Sequence, residues 1–320
     1  MLDVFFTIDV EIWCDGWTDI DRKFPEAYRK YILGPTSRGD YGLPFQLQML
    51  ADHGVLGTCF VEPLFSTRFG PQPLADIVGL IQDQGQDVQL HMHTEWVDES
   101  IKPLIADTST KRQHLFHYTL EEQTELIRAG AAMLAEAGAS GIEAFRAGSF
   151  GFNLDTLRAL ATNGIRFDSS YNATMFGPAS GVRPGEQLIE PVECENVVEY
   201  PMTVFTDGLG SPRHTQLTSC SFGELESLLW QSLEAGRKSF VILSHNFELL
   251  NPGKTAPDPV VIARLEKLCR FFERHRDSFR TCGFKDLAPH IVDTQPAPLR
   301  TSFMKTGRRI LEQAYRRKYS

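Results

Sequence analysis

The chain has 320 residues, of which 42% are hydrophobic, 23% charged and 11% aromatic, a composition typical of globular proteins. Its formal net charge of −9 at pH 7 argues against nucleic acid as the main partner, because nucleic-acid binding calls for a basic surface. The six cysteines are scattered and form no CxxC motif, which argues against a disulfide framework and against a structural zinc site.

Hydrophobic periodicity and Gly/Pro breakers predict strands and helices that alternate about seven times along the chain. The predicted strands, in chain order, are 2–8, 55–61, 87–91, 142–145, 165–167, 197–204, 240–243 and 279–282. The predicted helices are 44–53, 74–84, 120–137, 154–162, 222–235 and 259–275, with a further helix at 25–31 in the long loop 13–42. This alternation is typical of a parallel sheet, which either closes into a barrel or stays open with helices on both faces.

Targeting and membrane signals are missing from the sequence. The first residues show no basic segment followed by an apolar run, so we expect no signal peptide. A spanning helix needs about 18 consecutive apolar residues, and no such run occurs. Together with unpaired thiols, these features predict a cytoplasmic protein.

Polar side chains that can do chemistry come at or just past the ends of the predicted strands. In an α/β barrel the carboxyl ends of the strands form one face, and active sites collect there. In an open sheet the same residues would instead gather at a switch point. These residues are Asp9, Glu11, His91, His93, Arg146, Asp168 and His245.

Two carboxylates, Asp9 and Glu11, lie at the end of the first strand. Their i, i+2 spacing puts both side chains on the same face of the strand. A buried strand that ends this way needs a cation, a proton or a hydrogen-bond network to be stable. The partner could be a metal ion or a core arginine.

Three segments could bind a divalent metal. They are Glu11, the stretch that contains His91, His93 and Glu95, and the strand end at His245. Three nitrogen or oxygen ligands with an open position are typical of a catalytic metal site, usually one for zinc. For His245 the alternative is a core histidine whose hydrogen bonds are satisfied.

Arg146 and Asp168 leave two interpretations each. Arg146 follows an apolar strand and precedes Ala147-Gly148-Ser149, which suits either a salt-bridge anchor or an anion clamp. Asp168, in Phe167-Asp168-Ser169-Ser170, could act at a site or could only cap a helix or turn.

Taken in order, these segments resemble the five motifs of the polysaccharide deacetylase family, the NodB-homology carbohydrate esterases, over about residues 2–290. The resemblance implies a distorted (β/α)7 barrel. Beyond the resemblance, residues 291–320 form a basic C-terminal tail. The matching stretches are Thr7-Ile8-Asp9-Val10-Glu11, His91 to Glu95, Arg146-Ala147-Gly148-Ser149, Asp168-Ser169-Ser170 and Leu243-Ser244-His245.

The resemblance also implies a role for each residue near the metal. Glu11 and His91 would be ligands of a divalent metal, with zinc as the expected ion. Asp9 would be the base that takes a proton from the water held by the metal, and Arg146 would orient Asp9.

On the other side of the reaction, His245 would be the acid that protonates the departing amine. Asp168 would tune His245 by favouring its charged form. A carboxylate base and an imidazole acid would thus divide the two proton transfers of amide hydrolysis.

The sequence departs from the family pattern at two places. Glu95 stands where the family usually has its second histidine, and His93 lies two positions earlier, so either could complete the metal site. Ala147-Gly148 replaces the segment in which the third motif has its proline. A site rich in carboxylates would favour harder ions than zinc.

We therefore expect a metal-dependent hydrolase that removes an N-acetyl group from a sugar or from a lipid-linked or nucleotide-linked glycan precursor. One alternative is hydrolysis of a non-sugar C–N bond on the same barrel. Another is a barrel that has lost catalysis and serves as a glycan-binding or scaffold protein, which the departures at Glu95 and Ala147-Gly148 favour.

From Leu299 onward, the tail carries many basic residues and only one acid, Glu312, with apolar residues interspersed. Such a tail could be a helix that rests on an anionic membrane surface, which would place the protein at the inner face of the membrane. More often such a tail is a solvated helix or one that docks on a protein partner. The basic residues are Arg300, Lys305, Arg308, Arg309, Arg316, Arg317 and Lys318.

Overall fold

The first strand, β1 (Leu2–Val10), is buried along its whole length and runs parallel to three other strands. Side chains alternate between the two faces of a strand. Val4, Phe6 and Ile8 pack into the larger apolar core, which they share with the helices. Phe5 belongs instead to a second cluster on the opposite face of the sheet.

The structure of the protein, a computed structural model, describes residues 1–175, 182–183 and 185–319. The strands after β1 are β2 (Pro35–Thr36), β3 (Gly39–Asp40), β4 (Gly57–Val61), β5 (Asp87–Met92), β6 (Ala144–Ala147), β7 (Phe167–Asp168), β8 (Val192–Cys194), β9 (Val197–Glu199), β10 (Val204–Thr206), β11 (Pro212–His214), β12 (Ser239–His245), β13 (Phe279–Thr281) and β14 (Leu299–Arg300).

The helices connect the strands, and several begin with strong capping signals. Thr119, Asn153 and Ser221 each form a capping box that satisfies backbone N–H groups at the start of a helix. The helices are α1 (Ile20–Tyr28), α2 (Leu43–Asp52), α3 (Ser66–Phe69), α4 (Gln72–Asp83), α5 (Leu120–Glu136), α6 (Leu154–Thr162), α7 (Phe222–Glu234), α8 (Pro259–Arg274) and α9 (Phe303–Tyr319).

The main sheet confirms the expected mixed α/β class with parallel strands. Its strand order is β12-β1-β4-β5-β6-β7-β9-β8, and β13 also pairs with β1. Among the strands of this sheet in the described residues, only β8 pairs antiparallel, with β9. The sheet curls into a half-barrel.

The full (β/α)7 barrel implied by the family resemblance is only partly present in the described residues. Beside β12 lies a short irregular segment, and no regular strand is found there. Leu243 N donates to Thr215 O at 3.0 Å, and Leu217 N donates to Leu243 O at 2.8 Å. Backbone groups of Leu243 in β12 are therefore satisfied on that side by this irregular segment rather than by another strand that would close the barrel.

One predicted strand, 197–204, is divided in two in the structure. β9 ends at Glu199 and β10 begins at Val204, and Pro201 lies between them. Proline has no N–H for a ladder hydrogen bond, so it breaks the strand. β10 then joins β11 and β14 in a separate three-stranded sheet.

The chain beyond residue 290 is hydrogen-bonded to the rest of the molecule. Val292 N donates to Pro191 O at 3.0 Å, and β14 pairs with β10. α9 follows directly, so the tail contains a helix. The division into a domain over 1–290 and a tail over 291–320 stays a prediction. Within the described residues, no helix is both long and apolar enough to cross a bilayer.

An aromatic cluster fills the inside of the curled sheet. Phe5 stacks on Phe284 with ring centroids 4.7 Å apart and meets Tyr200 edge-on at 5.1 Å. Phe60 and Phe167 complete the cluster and are fully buried. Further along the same face of β1 come Thr7 and Asp9. The cluster is therefore an apolar floor on which the polar groups at the strand ends are supported.

Phe5→Ala tests this floor. We expect it to lower the free energy of unfolding by about 3–5 kcal/mol, because the truncation leaves a cavity among rings that cannot collapse into it. Urea denaturation followed by circular dichroism measures the change. Phe303→Ala is the control, since that side chain is 68% exposed and its loss should cost within about 0.5 kcal/mol. Equal effects of the two substitutions would contradict this account of the core.

Candidate active site

The inward faces of β1, β5 and β12 bring five of the predicted residues into one pocket. Asp9 lies opposite His245 in the register of β1 and β12. Glu11 lies just past the end of β1, on the same face as Asp9. In the same way, His93 lies just past the end of β5, on the same face as His91. All five line a cavity of about 320 Å³ at the carboxyl ends of the strands.

Glu11 is the centre of a three-residue cluster that could hold a metal ion. Its Oε2 lies 2.8 Å from His93 Nε2 and 3.7 Å from His91 Nε2. Donor atoms of the three residues lie within 4.8 Å of one another, and all three side chains are buried. Trp13, which the sequence places near the mouth of the site, donates from Nε1 to Glu11 Oε1 at 2.9 Å.

Electrostatics within this cluster are strong. Burial raises the pKa of Glu11, but the charge of His93 and hydrogen bonds from His91 and His93 hold it well below its usual range. Burial lowers the pKa of His93, yet Glu11 and Glu95 raise it to about 10. Without a bound cation, Glu11 and His93 therefore form a buried ion pair.

The other ring nitrogen of each histidine is occupied. His91 Nδ1 lies 2.8 Å from the carbonyl oxygen of Arg146, which fixes the N–H there and leaves Nε2 with its lone pair. His93 Nδ1 lies 3.3 Å from Glu95 Oε2. A metal-ligating histidine usually donates a hydrogen bond from its other ring nitrogen to an oxygen atom in this way.

These contacts change the expected place of Glu95. The sequence left both His93 and Glu95 as candidate ligands, but the structure places Glu95 behind the His93 ring, on the nitrogen that faces away from Glu11. The cluster of Glu11, His91 and His93 does not include it. In this arrangement Glu95 is a hydrogen-bonding partner of the His93 ring.

Asp9 is held by a buried arginine. Arg146 Nη1 donates to Asp9 Oδ1 at 2.6 Å and to Thr7 Oγ1 at 2.8 Å. Its Nε donates to the carbonyl oxygen of Ser169 at 3.1 Å, and its guanidinium lies 4.3 Å from the Phe60 ring centroid. The second carboxylate oxygen of Asp9 lies 4.0 Å from His91 Nε2. Arg146 therefore orients Asp9 toward the cluster.

His245 has a carboxylate partner that the sequence analysis missed. Its Nδ1 lies 2.9 Å from Glu248 Oε1, which also accepts a hydrogen bond from Gln216. Burial lowers the pKa of His245, but Glu248 and, more weakly, Glu11 and Asp9 raise it to about 9. The spacing of the pair, His-x-x-Glu just past a strand, was the signal that could have revealed Glu248.

Asp168 does not pair with His245 in the described residues, contrary to the role implied by the family resemblance. Ser170 Oγ donates to Asp168 Oδ1 at 2.6 Å, and Glu199 lies beside it. Burial raises the pKa of Asp168, and burial together with Asp168 raises that of Glu199. Two buried carboxyl groups in contact cannot both ionise easily, so this pair retains a proton.

The segment after β6 has a close approach that only glycine allows. A Cβ added to Gly148 would lie 2.7 Å from His93 Nδ1 and 2.7 Å from the Met92 carbonyl oxygen. Ser149 and Phe150 follow with φ of 52° and 57°, a left-handed conformation that costs non-glycine residues energy. The glycine that stands in place of the family's proline therefore makes room for His93.

The walls of the pocket come partly from residues outside the five motifs, namely Phe150, His214 and Gln216. Phe150 and Leu243 add apolar surface, and Ser149, His214 and Gln216 add polar groups. Most of them lie on loops that the sequence predicted only as irregular, so their places in the pocket were not foreseeable.

Comparisons with known proteins agree with this fold. No protein-family model and no curated protein matches the chain. Among solved structures, the chain is similar to a provisionally assigned polysaccharide deacetylase from Mycobacterium smegmatis. The TM-score is 0.55 at 18% identity, over 92% of this chain and 94% of that chain.

Two other solved structures are similar over most of this chain. A 4-alpha-glucanotransferase from Thermococcus litoralis has a TM-score of 0.52 at 11% identity, covering 90% of this chain and 41% of that one. A family 4 carbohydrate esterase from Streptomyces lividans, in complex with acetate, has a TM-score of 0.44 at 13% identity, covering 92% and 97%. The resemblance to polysaccharide deacetylases is confirmed at the level of the fold.

Glu248→Gln tests the partner of His245. The imidazole pKa of about 9 lies above its ordinary value of 6.5, so the pair stabilises the fold fully below pH 6.5 and loses this contribution as pH rises through 9. Removing the carboxylate charge should move the pKa toward 6.5 or below, as measured by NMR titration. Glu273→Gln, which removes the carboxylate of the pair with His53 on the surface, is the control. A His245 pKa that stays at about 9 would rule out this role of Glu248.

Gly148→Ala tests the close approach to His93. The added methyl group should push the ring away from Glu11, which costs about 1–3 kcal/mol of stability and lowers the His93 pKa in metal-free protein. Gly79→Ala in α4 is the control, because nothing lies within 4 Å of its Cβ position. It should stabilise the helix by up to about 1 kcal/mol. The interpretation fails if Gly148→Ala behaves like Gly79→Ala.

Proposed function

We propose that the protein is a metal-dependent hydrolase that removes an N-acetyl group from a sugar or a glycan precursor. One observation carries the proposal: a single pocket contains a buried three-donor cluster, a carboxylate held by arginine and a histidine paired with glutamate. The fold shared with the Mycobacterium smegmatis protein supports it.

Glu11, His91 and His93 are the residues that would hold the metal. Two imidazole nitrogens and one carboxylate suit a divalent ion such as zinc, and Nδ1 of each ring already has a partner that aims Nε2 at Glu11. When bound, the ion would polarise the amide carbonyl and make a coordinated water more acidic.

The chain's own groups would handle the protons. Asp9, aimed by Arg146, is placed to accept a proton from water in the pocket. His245 donates one to the departing amine, which is a poor leaving group until it is protonated. Because Glu248 occupies Nδ1 and raises the pKa to about 9, the imidazole is charged at neutral pH and presents its Nε2–H to the pocket.

The pocket walls fit a sugar as substrate. Trp13 and Phe150 offer aromatic surface on which the apolar face of a sugar ring can pack, while Gln216 and Ser149 offer hydrogen-bonding groups. We propose that the substrate is an N-acetylated sugar, carried in a lipid-linked or nucleotide-linked glycan precursor. The half-barrel is interpreted as a variant of the family's (β/α)7 barrel.

The alternative of an inactive binding or scaffold barrel rested on the two departures from the family motifs. This argument is weakened because both departures lie against His93. Gly148 leaves the space that the His93 ring occupies, and Glu95 contacts the far side of that ring. A site that had only decayed would not be expected to keep such matched changes. Hydrolysis of a non-sugar C–N bond would use the same residues and differs only in substrate.

Acetate release from a panel of N-acetylated sugars and sugar phosphates is the direct test. After chelation and re-addition of zinc, the wild type should release acetate, and Asp9→Asn should be slower by about 10²–10⁴-fold, because it loses the base. Asp21→Asn is the control, since that carboxylate lies on the exposed side of α1 and forms an ion pair with Arg68.

Metal content separates the alternatives. Elemental analysis should find one divalent ion per chain in the wild type and its loss in His91→Ala. If the protein binds metal and hydrolyses other amides but releases no acetate from any sugar, its substrate is a non-sugar compound. A well-folded protein that binds no metal and releases no acetate would overturn the proposal.

A further inference from the structure

α9 presents apolar side chains to solvent. Of the large hydrophobic side chains exposed in the described part of the chain, five lie on this one helix. Spacings of seven residues (303 to 310 and 304 to 311) and of four residues (311 to 315) put them on one face of the helix. The exposed fractions are 68% for Phe303, 82% for Met304, 44% for Ile310, 72% for Leu311 and 52% for Tyr315.

The inner face of α9 is polar and attached by buried ion pairs. Arg309 is 3% exposed and donates to Asp207 at 2.7 Å, and it lies 3.1 Å from Glu224. Arg316 lies 2.7 Å from Asp258. Separating such buried charges would be costly, so these contacts fix the rotation of the helix. Its apolar ridges cannot turn toward the protein.

The outward face is also positively charged. Arg308, Arg317 and Lys318 are exposed beside the apolar residues. The one acid of the helix, Glu312, is engaged by Arg264 at 2.9 Å and by Arg308 at 3.6 Å. This cationic helix belongs to a chain whose net charge is −9. The positive charge is therefore concentrated on α9, and a negatively charged surface would turn the molecule so that this helix faces it.

Together, the apolar ridges and the basic side chains select one kind of partner. We propose that the outward face of α9 lies on an anionic phospholipid surface. A lipid surface accepts the apolar side chains, and its negative head groups pair with the basic ones. A second copy of this chain would instead bring two cationic helices together. The proposal does not depend on the catalytic function.

Vesicle sedimentation with the full-length protein tests this proposal. The protein should bind vesicles of phosphatidylcholine mixed with phosphatidylglycerol, and should bind vesicles of pure phosphatidylcholine much less. Binding should weaken as salt is added, because salt screens the charges. Met304→Gln/Leu311→Gln and Arg308→Gln/Arg317→Gln should each lower the partition coefficient on the order of tenfold or more.

Matched substitutions elsewhere serve as controls. Ile101→Gln removes an apolar side chain that is 75% exposed, and Arg22→Gln/Arg274→Gln removes two exposed positive charges. All variants alter exposed side chains, and unchanged circular dichroism and melting would establish that they fold. The controls should bind vesicles like the wild type.

Three results would overturn the proposal. The first is equal binding to neutral and anionic vesicles, or none to either. The second is an equal loss of binding in the controls. The third is self-association of the wild type in sedimentation velocity that Met304→Gln/Leu311→Gln abolishes, because this would assign the face to a second copy of the chain.

Discussion

The buried contact between Arg146 and Asp9 is the interaction on which the pocket depends. The N–H groups of a guanidinium buried away from solvent need hydrogen-bond acceptors, and those of Arg146 find them in Asp9, Thr7 and Ser169. These contacts join β6, which contains Arg146, to β1 and to the segment after β7. The carbonyl oxygen of Arg146 also accepts a hydrogen bond from the Nδ1–H of His91. One residue therefore sets the direction of a carboxylate and of an imidazole. The aromatic floor beneath it excludes water, so these polar contacts are strong.

Around this contact, the unusual features of the sequence form one consistent arrangement. A second histidine two residues after the first needs space that a side chain at position 148 would occupy, and glycine supplies that space. Glu95 then occupies the far nitrogen of the same ring. Each change looks like a loss of a family motif when read alone. In the fold they are neighbours, and each makes sense only in the presence of the others.

The alternation of side chains between the two faces of a strand made much of the pocket predictable. Asp9 and Glu11 share a face of β1, and His91 and His93 share a face of β5, because strand side chains repeat every two residues. Apolar runs between glycines and prolines predicted most helices and strands to within a few residues. Alternation failed where the backbone leaves regular structure: the strand over 197–204 breaks near Pro201, and an irregular segment lies beside β12. The tail illustrates the same limit, because composition predicted its basic character but not which face of α9 is buried.

The sequence by itself determined which chemical groups end the strands and that they meet at one edge of a parallel sheet. Only the tertiary structure decided which nitrogen of each histidine faces Glu11, that Glu95 lies behind His93, and that Glu248 rather than Asp168 contacts His245. The physical reason is that these outcomes depend on ångström-scale distances between strands and loops far apart in the chain. Periodicity gives the face on which a side chain lies, whereas packing sets the atom that it meets.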